Sequence, residues 1–294
     1  MLDVGVGMIR FAETKDILQI RSIWKICFGD VDDYLDSYFS FMFKENQTLL
    51  MELDDQIVAM LQMLPAYILT SNGKEPIQYI FAAATLPAYR KRGLMAELIE
   101  EAIKTGESRS EILSVLKPTN QNLFHFYEQL GYQMNFYIDK IRFSREDLLE
   151  IVKGTELPNG NLKQCDVEEL YKLRELFLKG RQGAIFFPQT HIKAEMDNFN
   201  LGYGGVFSYQ DCYAFCREDV QSITCTEFSF SSQFTKEFCA LLLKRYPHHK
   251  EFTFILPQDT PLFGKTGETQ AFGMSRKIKP LELPTKPYLN MALE

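Results

Sequence analysis

Long apolar runs are missing from this chain: no uninterrupted stretch approaches the roughly 20 residues needed to span a bilayer. Residues 1–7 lack the basic start and long apolar core of a secretory signal. No membrane partner and a cytoplasmic location are therefore expected. The six cysteines, Cys27, Cys165, Cys212, Cys216, Cys225 and Cys239, are too scattered for a disulfide scaffold, and the four histidines do not stand among them. Cys212 and Cys216 are spaced evenly along an expected strand, which puts both on one face as buried thiols, so no metal site is expected. Basic excess is also absent: 32 Lys and Arg against 39 Asp and Glu leave a net charge of −7. That balance argues against nucleic acid as the main partner and favours a cationic or neutral one.

What is present is enough to build real cores. Hydrophobic residues make up 46% of the 294 positions and aromatics 13%, which at this length predicts about two domains. The most informative stretch is residues 81–99, where an apolar strand runs through a basic turn, Arg90, Lys91, Arg92 and Gly93, straight into an amphipathic helix. A helix N-terminus beside a basic loop offers unpaired N–H groups and a positive dipole end to a phosphate. The bland alternative is a solvated charged turn that caps a helix. The turn is neither Gly-x-Gly-x-x-Gly nor Gly-Lys-Ser/Thr; its order is Arg-x-x-Gly-x-x, from Arg90 to Met95.

Further on, residues 111–118 read as a buried strand and residues 120–132 as a helix closed by Gly131. Tyr127 shares an apolar helix face with Leu123, Phe126 and Leu130, the pattern of an ordinary core aromatic.

Together the two segments resemble the GNAT superfamily of N-acetyltransferases. The first is similar to that family's coenzyme A pyrophosphate loop, with Met95 standing where Gly or Ala is usual. The second is similar to its Asn, helix, Tyr and Gly-aromatic signature at Asn120, Tyr127, Gly131 and Tyr132. Arg90 to Met95 looks most like the loop of the Eis-like acetyltransferases. The resemblance implies an α+β fold of two tandem GNAT-like domains, each a mostly antiparallel mixed sheet flanked by helices, without the third, sterol-carrier-like domain of that group. It implies a catalytic acetyl-CoA-binding domain over 1–150, a linker over 151–163 and a degenerate second copy over 164–294.

The same resemblance implies acetyl-CoA as co-substrate. Ala83, Ala84 and Thr85 would lie beside its pantetheine arm, Arg90, Lys91, Arg92, Gly93, Leu94 and Met95 would hold its phosphates, and Asn120 and Asn122 would complete the site. Tyr127 would give a proton to the departing sulfur, and the C-terminal carboxylate of Glu294 would serve as the base. The acceptor would be a primary amine of a small molecule or peptide. A homo-oligomer is compatible with this reading. Two other classes stay open: a non-catalytic acyl-CoA-binding protein, and a tandem-GNAT aminoacyl transferase.

No base stands out from the residues themselves. Glu52, Asp54 and Asp55 belong to a strand turn, and His125 sits two residues from Tyr127 on another helix face. Phe39, Phe41, Tyr67, Phe186, Phe187 and Glu227 are candidates for an acceptor cleft. Periodicity predicts a helix over 15–28 capped by Thr14, a helix over 32–42, strands over 8–12, 48–53 and 56–70, and a final strand over 288–294. The second half is expected to repeat the pattern, with a helix over 166–179, strands over 205–209, 212–217 and 221–230, a helix over 232–245 and a strand over 251–256. Its strand-to-helix junction, from Phe228 to Gln233, has neither basic residues nor glycine.

Overall fold

The computed structural model describes residues 7–156, 160–202 and 204–291. The chain opens with β1 (Met8–Phe11), α1 (Ile17–Phe28), α2 (Asp32–Phe41), β2 (Thr48–Leu53), β3 (Gln56–Thr70), β4 (Gly73–Thr85), α3 (Leu94–Ser108), β5 (Leu113–Leu116) and α4 (Gln121–Gln129). It continues with β6 (Gln133–Ser144), α5 (Arg145–Ile151), β7 (Lys163–Gln164), α6 (Val167–Leu178), β8 (Ile185–Phe186) and α7 (Gln189–Leu201). The remaining elements are β9 (Gly204–Tyr209), β10 (Cys212–Glu218), β11 (Ser222–Ser229), α8 (Thr235–Arg245), β12 (Glu251–Pro257) and β13 (Glu268–Lys277). Among the described residues no helix is long and apolar enough to cross a membrane.

Two compact units result. Among the described residues one holds the chain through Asn135 together with Gly273–Leu283; the other holds Phe136–Phe272 and the residues from Pro284 to Met291. In the first unit β1, β2, β3 and β4 form an antiparallel run, and β5 joins β4 in parallel. In the second, β9, β10 and β11 are antiparallel and β12 joins β11 in parallel. The helix of each parallel crossover, α3 or α8, buries an apolar stripe: Leu94, Leu98, Ile99 and Ala102 on α3, and Phe238, Leu241 and Leu242 on α8. The α+β expectation holds for both units.

The division between the compact units falls inside β6. Its cause is a reciprocal exchange of strands. The strand that follows α4, β6, pairs antiparallel with β12 of the second unit, while Lys277 to Met274 of β13 pair antiparallel with Leu113 to Leu116 of the first.

Local expectations need three adjustments. Thr14 does not cap α1; it opens a 3₁₀ turn, Thr14–Asp16, closed by a reciprocal Glu13 and Asp16 capping box. The final strand reduces to one bridge between Ala184 and Tyr288, and residues 292–294 lie outside the described residues. The elements β6, α5, β7, β8, α7 and β13 were not anticipated.

One buried acid makes stability depend on pH. Glu111, 8% exposed, has an Oε2 atom with no hydrogen-bond partner, and burial raises its carboxyl above the ordinary range. The folded state therefore favours the protonated form, and stability falls as pH rises from the ordinary carboxylate pKa through the raised one. Glu111→Gln is expected to raise the thermal midpoint by a few degrees above pH 7 and to leave it nearly unchanged at pH 4. A Tm difference that does not grow with pH contradicts this account.

Candidate active site

The first unit contains a splayed pair of strands. β4 and β5 pair only from Gln78 with Ser114 to Ile80 with Leu116. Past that register Pro118, which has no N–H, cannot extend the ladder. Phe81, Ala82 and Ala83 on one wall and Lys117, Pro118 and Thr119 on the other then flank a cleft of about 240 Å³.

The β4 wall is bent by a bulge. Met60 faces Ala84 and Gln62 faces Phe81, so Ala82 and Ala83 together oppose a single residue. Ala82 takes a left-handed φ of 48°. Such a conformation in a non-glycine residue costs on the order of 1 kcal/mol or more, and it is tolerated where the surrounding sheet imposes it. The bulge re-aims the backbone at the point where β4 loses its partner, leaving N–H and C=O groups beside the cleft.

Tyr127 reaches the cleft from α4. Asn120 starts that helix by accepting the Leu123 N–H on its side-chain oxygen at 3.1 Å. Leu123 and Tyr127, four residues apart on one face, both line the cleft. The Tyr127 ring packs edge-on against Tyr132, whose hydroxyl shares a 2.7 Å hydrogen bond with Ser114. Burial pushes the Tyr127 hydroxyl up to about 12, so it stays protonated at neutral pH.

The third wall comes from the end of α1. Gly29, at φ 78°, ends the helix in a left-handed turn, with its N–H bonded to the Lys25 carbonyl. The chain folds back, and the Trp24 indole N–H donates to Asp30 Oδ2 at 2.6 Å. Trp24 lies 5.6 Å from the Phe81 ring and 5.9 Å from the Phe28 ring. Trp24, Phe28 and Asp30 all line the cleft.

The basic turn lies between β4 and α3. After the 3₁₀ turn Pro87–Tyr89, residues Arg90, Lys91, Arg92 and Gly93 are exposed. Arg90 Nε donates to the Thr85 carbonyl at 3.0 Å, and Arg92 donates to the Ala88 carbonyl at 2.9 Å while lying over the Tyr89 ring. Gly93, at φ 83°, is the N-cap of α3, and no side chain caps the helix. A Cβ on Gly93 would meet nothing within 4 Å, so the glycine answers to backbone conformation rather than to crowding. The matching junction of the second unit has no basic residue or glycine; there the Phe234 N–H is held by Ser231 Oγ at 3.1 Å, and Thr235 Oγ1 bonds back to the Ser231 carbonyl.

Of the residues singled out from sequence, Ala83 and Tyr127 line the cleft, and Arg90, Lys91, Arg92 and Gly93 form the open turn. Ala84 and Leu94 are buried, Thr85 and Met95 half-buried, and Asn122 exposed on α4. Glu294 lies outside the described residues. Glu52 is tied to Arg10 at 2.7 Å and His125 bonds Gln129, so neither faces the cleft; Asp54 and Asp55 are absent from its walls. Phe39, Phe41 and Tyr67 are also absent from them. Glu227 belongs to the second unit, buried and ion-paired with Arg174 at 3.2 Å. Asp30 is the carboxylate that sequence reasoning missed, and its signal is a helix-ending Gly followed by Asp, six residues after a Trp.

Residues 8–134 match the acetyltransferase (GNAT) domain family. The match covers less than half of the chain. The GNAT likeness in structure covers nearly the whole chain. A GCN5-related N-acetyltransferase from Kribbella flavida superposes with a TM-score of 0.75 at 14% identity, over 93% of this chain and 71% of that one. A probable N-acyltransferase from Enterococcus faecalis gives 0.75 at 14% identity over 93% and 73%, and Eis1 from Mycobacterium abscessus gives 0.71 at 12% over 92% and 74%. No curated protein matches the sequence. The fold is Eis-like, and the GNAT-domain match supports acyl transfer as the general chemistry.

Proposed function

We propose that the protein transfers an acetyl group from acetyl-CoA to a primary amine of a small molecule or peptide by direct attack on the thioester. The observation that carries this reading is the arrangement of the first unit. One cleft is lined by Tyr127 and by the bulged stretch of β4, and β4 leads through three basic residues into the N-terminus of α3, which no side chain caps. The pyrophosphate fits that helix end and the Arg90–Lys91–Arg92 turn, and the pantetheine fits along Phe81 to Ala83 as an added strand. The second unit, whose junction from Phe228 to Gln233 has neither basic residues nor glycine, would be a degenerate copy without a cofactor.

In the reaction the amine nitrogen attacks the thioester carbonyl carbon. The C–N bond forms, the carbonyl oxygen takes up negative charge, and an N–H of the bulged Ala82–Ala83 stretch stabilises it. The C–S bond then breaks; the thiolate takes the proton of Tyr127, the nitrogen sheds its proton to water in the open cleft, and the Tyr127 phenolate takes a proton back from water. Most of the rate comes from holding two reactants together.

The test is thiol release from acetyl-CoA in the presence of a panel of primary amines. Amine-dependent release supports the reading. Tight coenzyme A binding with no release for any amine would favour a non-catalytic binding protein, and no coenzyme A binding at all would favour an aminoacyl transferase.

A further inference from the structure

The cleft walls also carry information about the acceptor. Four of the lining residues are aromatic, Trp24, Phe28, Tyr79 and Phe81, besides Tyr127, and a single carboxylate, Asp30, faces the same space. The other charged lining residue, Lys117, is a cation. The indole N–H of Trp24 is the one donor to Asp30 among the described residues, and a carboxylate has about four lone-pair sites, so room remains for an ammonium. The turn that carries Asp30 is apolar on its outside: Ile26, Phe28 and Val31 are 56%, 46% and 66% exposed. Of these Phe28 lines the cleft with Asp30, and an exposed aromatic beside a carboxylate in one cleft suits a ligand that carries both an apolar and a cationic part.

Resting on the acetyltransferase reading above, we propose that the acceptor is a singly charged amine bearing an aromatic group a short chain away from nitrogen, an arylalkylamine. Its ammonium pairs with Asp30 on binding and gives one proton to water before the neutral nitrogen attacks, and its ring packs against Phe28 and Phe81. Trp24 acts as a positioning residue, holding the carboxylate at the mouth of the aromatic wall. A polyamine or other polycation fits poorly, because the single lining carboxylate, Asp30, neutralises one ammonium only. An aromatic amine satisfies both the charge and the wall.

The test is calorimetric titration of the full chain, with desulfo-CoA present, using 2-phenylethylamine, the neutral 2-phenylethanol and the polycation spermidine. Wild type is expected to bind 2-phenylethylamine more tightly than spermidine. Asp30→Asn is expected to weaken 2-phenylethylamine binding by about tenfold or more while leaving 2-phenylethanol unchanged, a split that general damage to the fold would not produce. Phe28→Ala, at an exposed position, should weaken both aromatic ligands several-fold. Equal binding of 2-phenylethylamine by wild type and Asp30→Asn, tighter binding of spermidine, or no binding of the arylalkylamine overturns the proposal. The titration needs no turnover, so Asp30-dependent binding without acetyl transfer would sustain this inference and remove the catalytic one; efficient turnover of spermidine alone would do the reverse.

Discussion

Tyr127→Phe is expected to lower turnover roughly 100-fold while leaving acetyl-CoA affinity near that of wild type. The variant keeps the ring that packs on Tyr132 and lines the cleft, and removes only the hydroxyl. A proton donor of this kind contributes about 10²–10⁴ to rate, and the loss falls on kcat because the sulfur needs the donor only as it departs. With its hydroxyl pushed up to about 12, Tyr127 stays protonated across the working range. Wild-type kcat should therefore show no alkaline limb from this group below pH 10, whereas a tyrosine at its ordinary pKa would titrate near there. Steady-state kinetics across pH check both statements. Unchanged turnover in the variant would remove Tyr127 from the mechanism.

The other large effect belongs to the basic turn. Replacing Arg90 and Arg92 together with alanine is expected to weaken acetyl-CoA binding by about 100-fold, which corresponds to two charge-assisted contacts of about 1.4 kcal/mol each. Both side chains are exposed, so the loss should shrink at high salt, where the wild-type contacts are screened. In the free protein both guanidinium groups lean on backbone carbonyls of their own loop, Thr85 and Ala88. The double variant also removes those contacts, and a thermal midpoint close to wild type would separate lost phosphate binding from a loosened loop.

The candidate site was legible in sequence where its chemistry is carried by short, contiguous segments. Arg90 to Gly93 and the Asn120 to Tyr132 helix announce themselves because a phosphate loop and a capped helix are local structures, encoded by neighbours in the chain. Asp30 was not legible. Its position depends on the left-handed turn at Gly29 bringing it back onto Trp24, a contact that periodicity does not report. The acceptor candidates chosen for aromatic character alone, such as Phe39, turned out to pack in clusters: Phe39 stands 5.8 Å from Trp24 and 5.6 Å from Tyr38.

The strands and helices of the first half followed their patterns, but the exchange of β6 and β13 did not. A strand's alternation tells which face it buries, not which neighbour it pairs with. The helix α7 was missed because its buried side includes His191 and Glu195, which read as polar breaks in an apolar stripe. His191 is held there by a 2.8 Å contact with the Met291 carbonyl, and burial pulls its pKa down to about 3, so it packs as a neutral ring stacked on Phe187. A polar residue satisfied by a distant carbonyl is invisible to a pattern of hydrophobicity.

The central claim is that the uncapped end of α3 and its basic turn hold coenzyme A. Calorimetric titration of acetyl-CoA, with desulfo-CoA and NADPH as comparisons and no acceptor present, tests it most directly. Micromolar binding of both coenzyme A compounds with no measurable binding of NADPH is the predicted result. Absence of acetyl-CoA binding, or equal binding of NADPH, would contradict it.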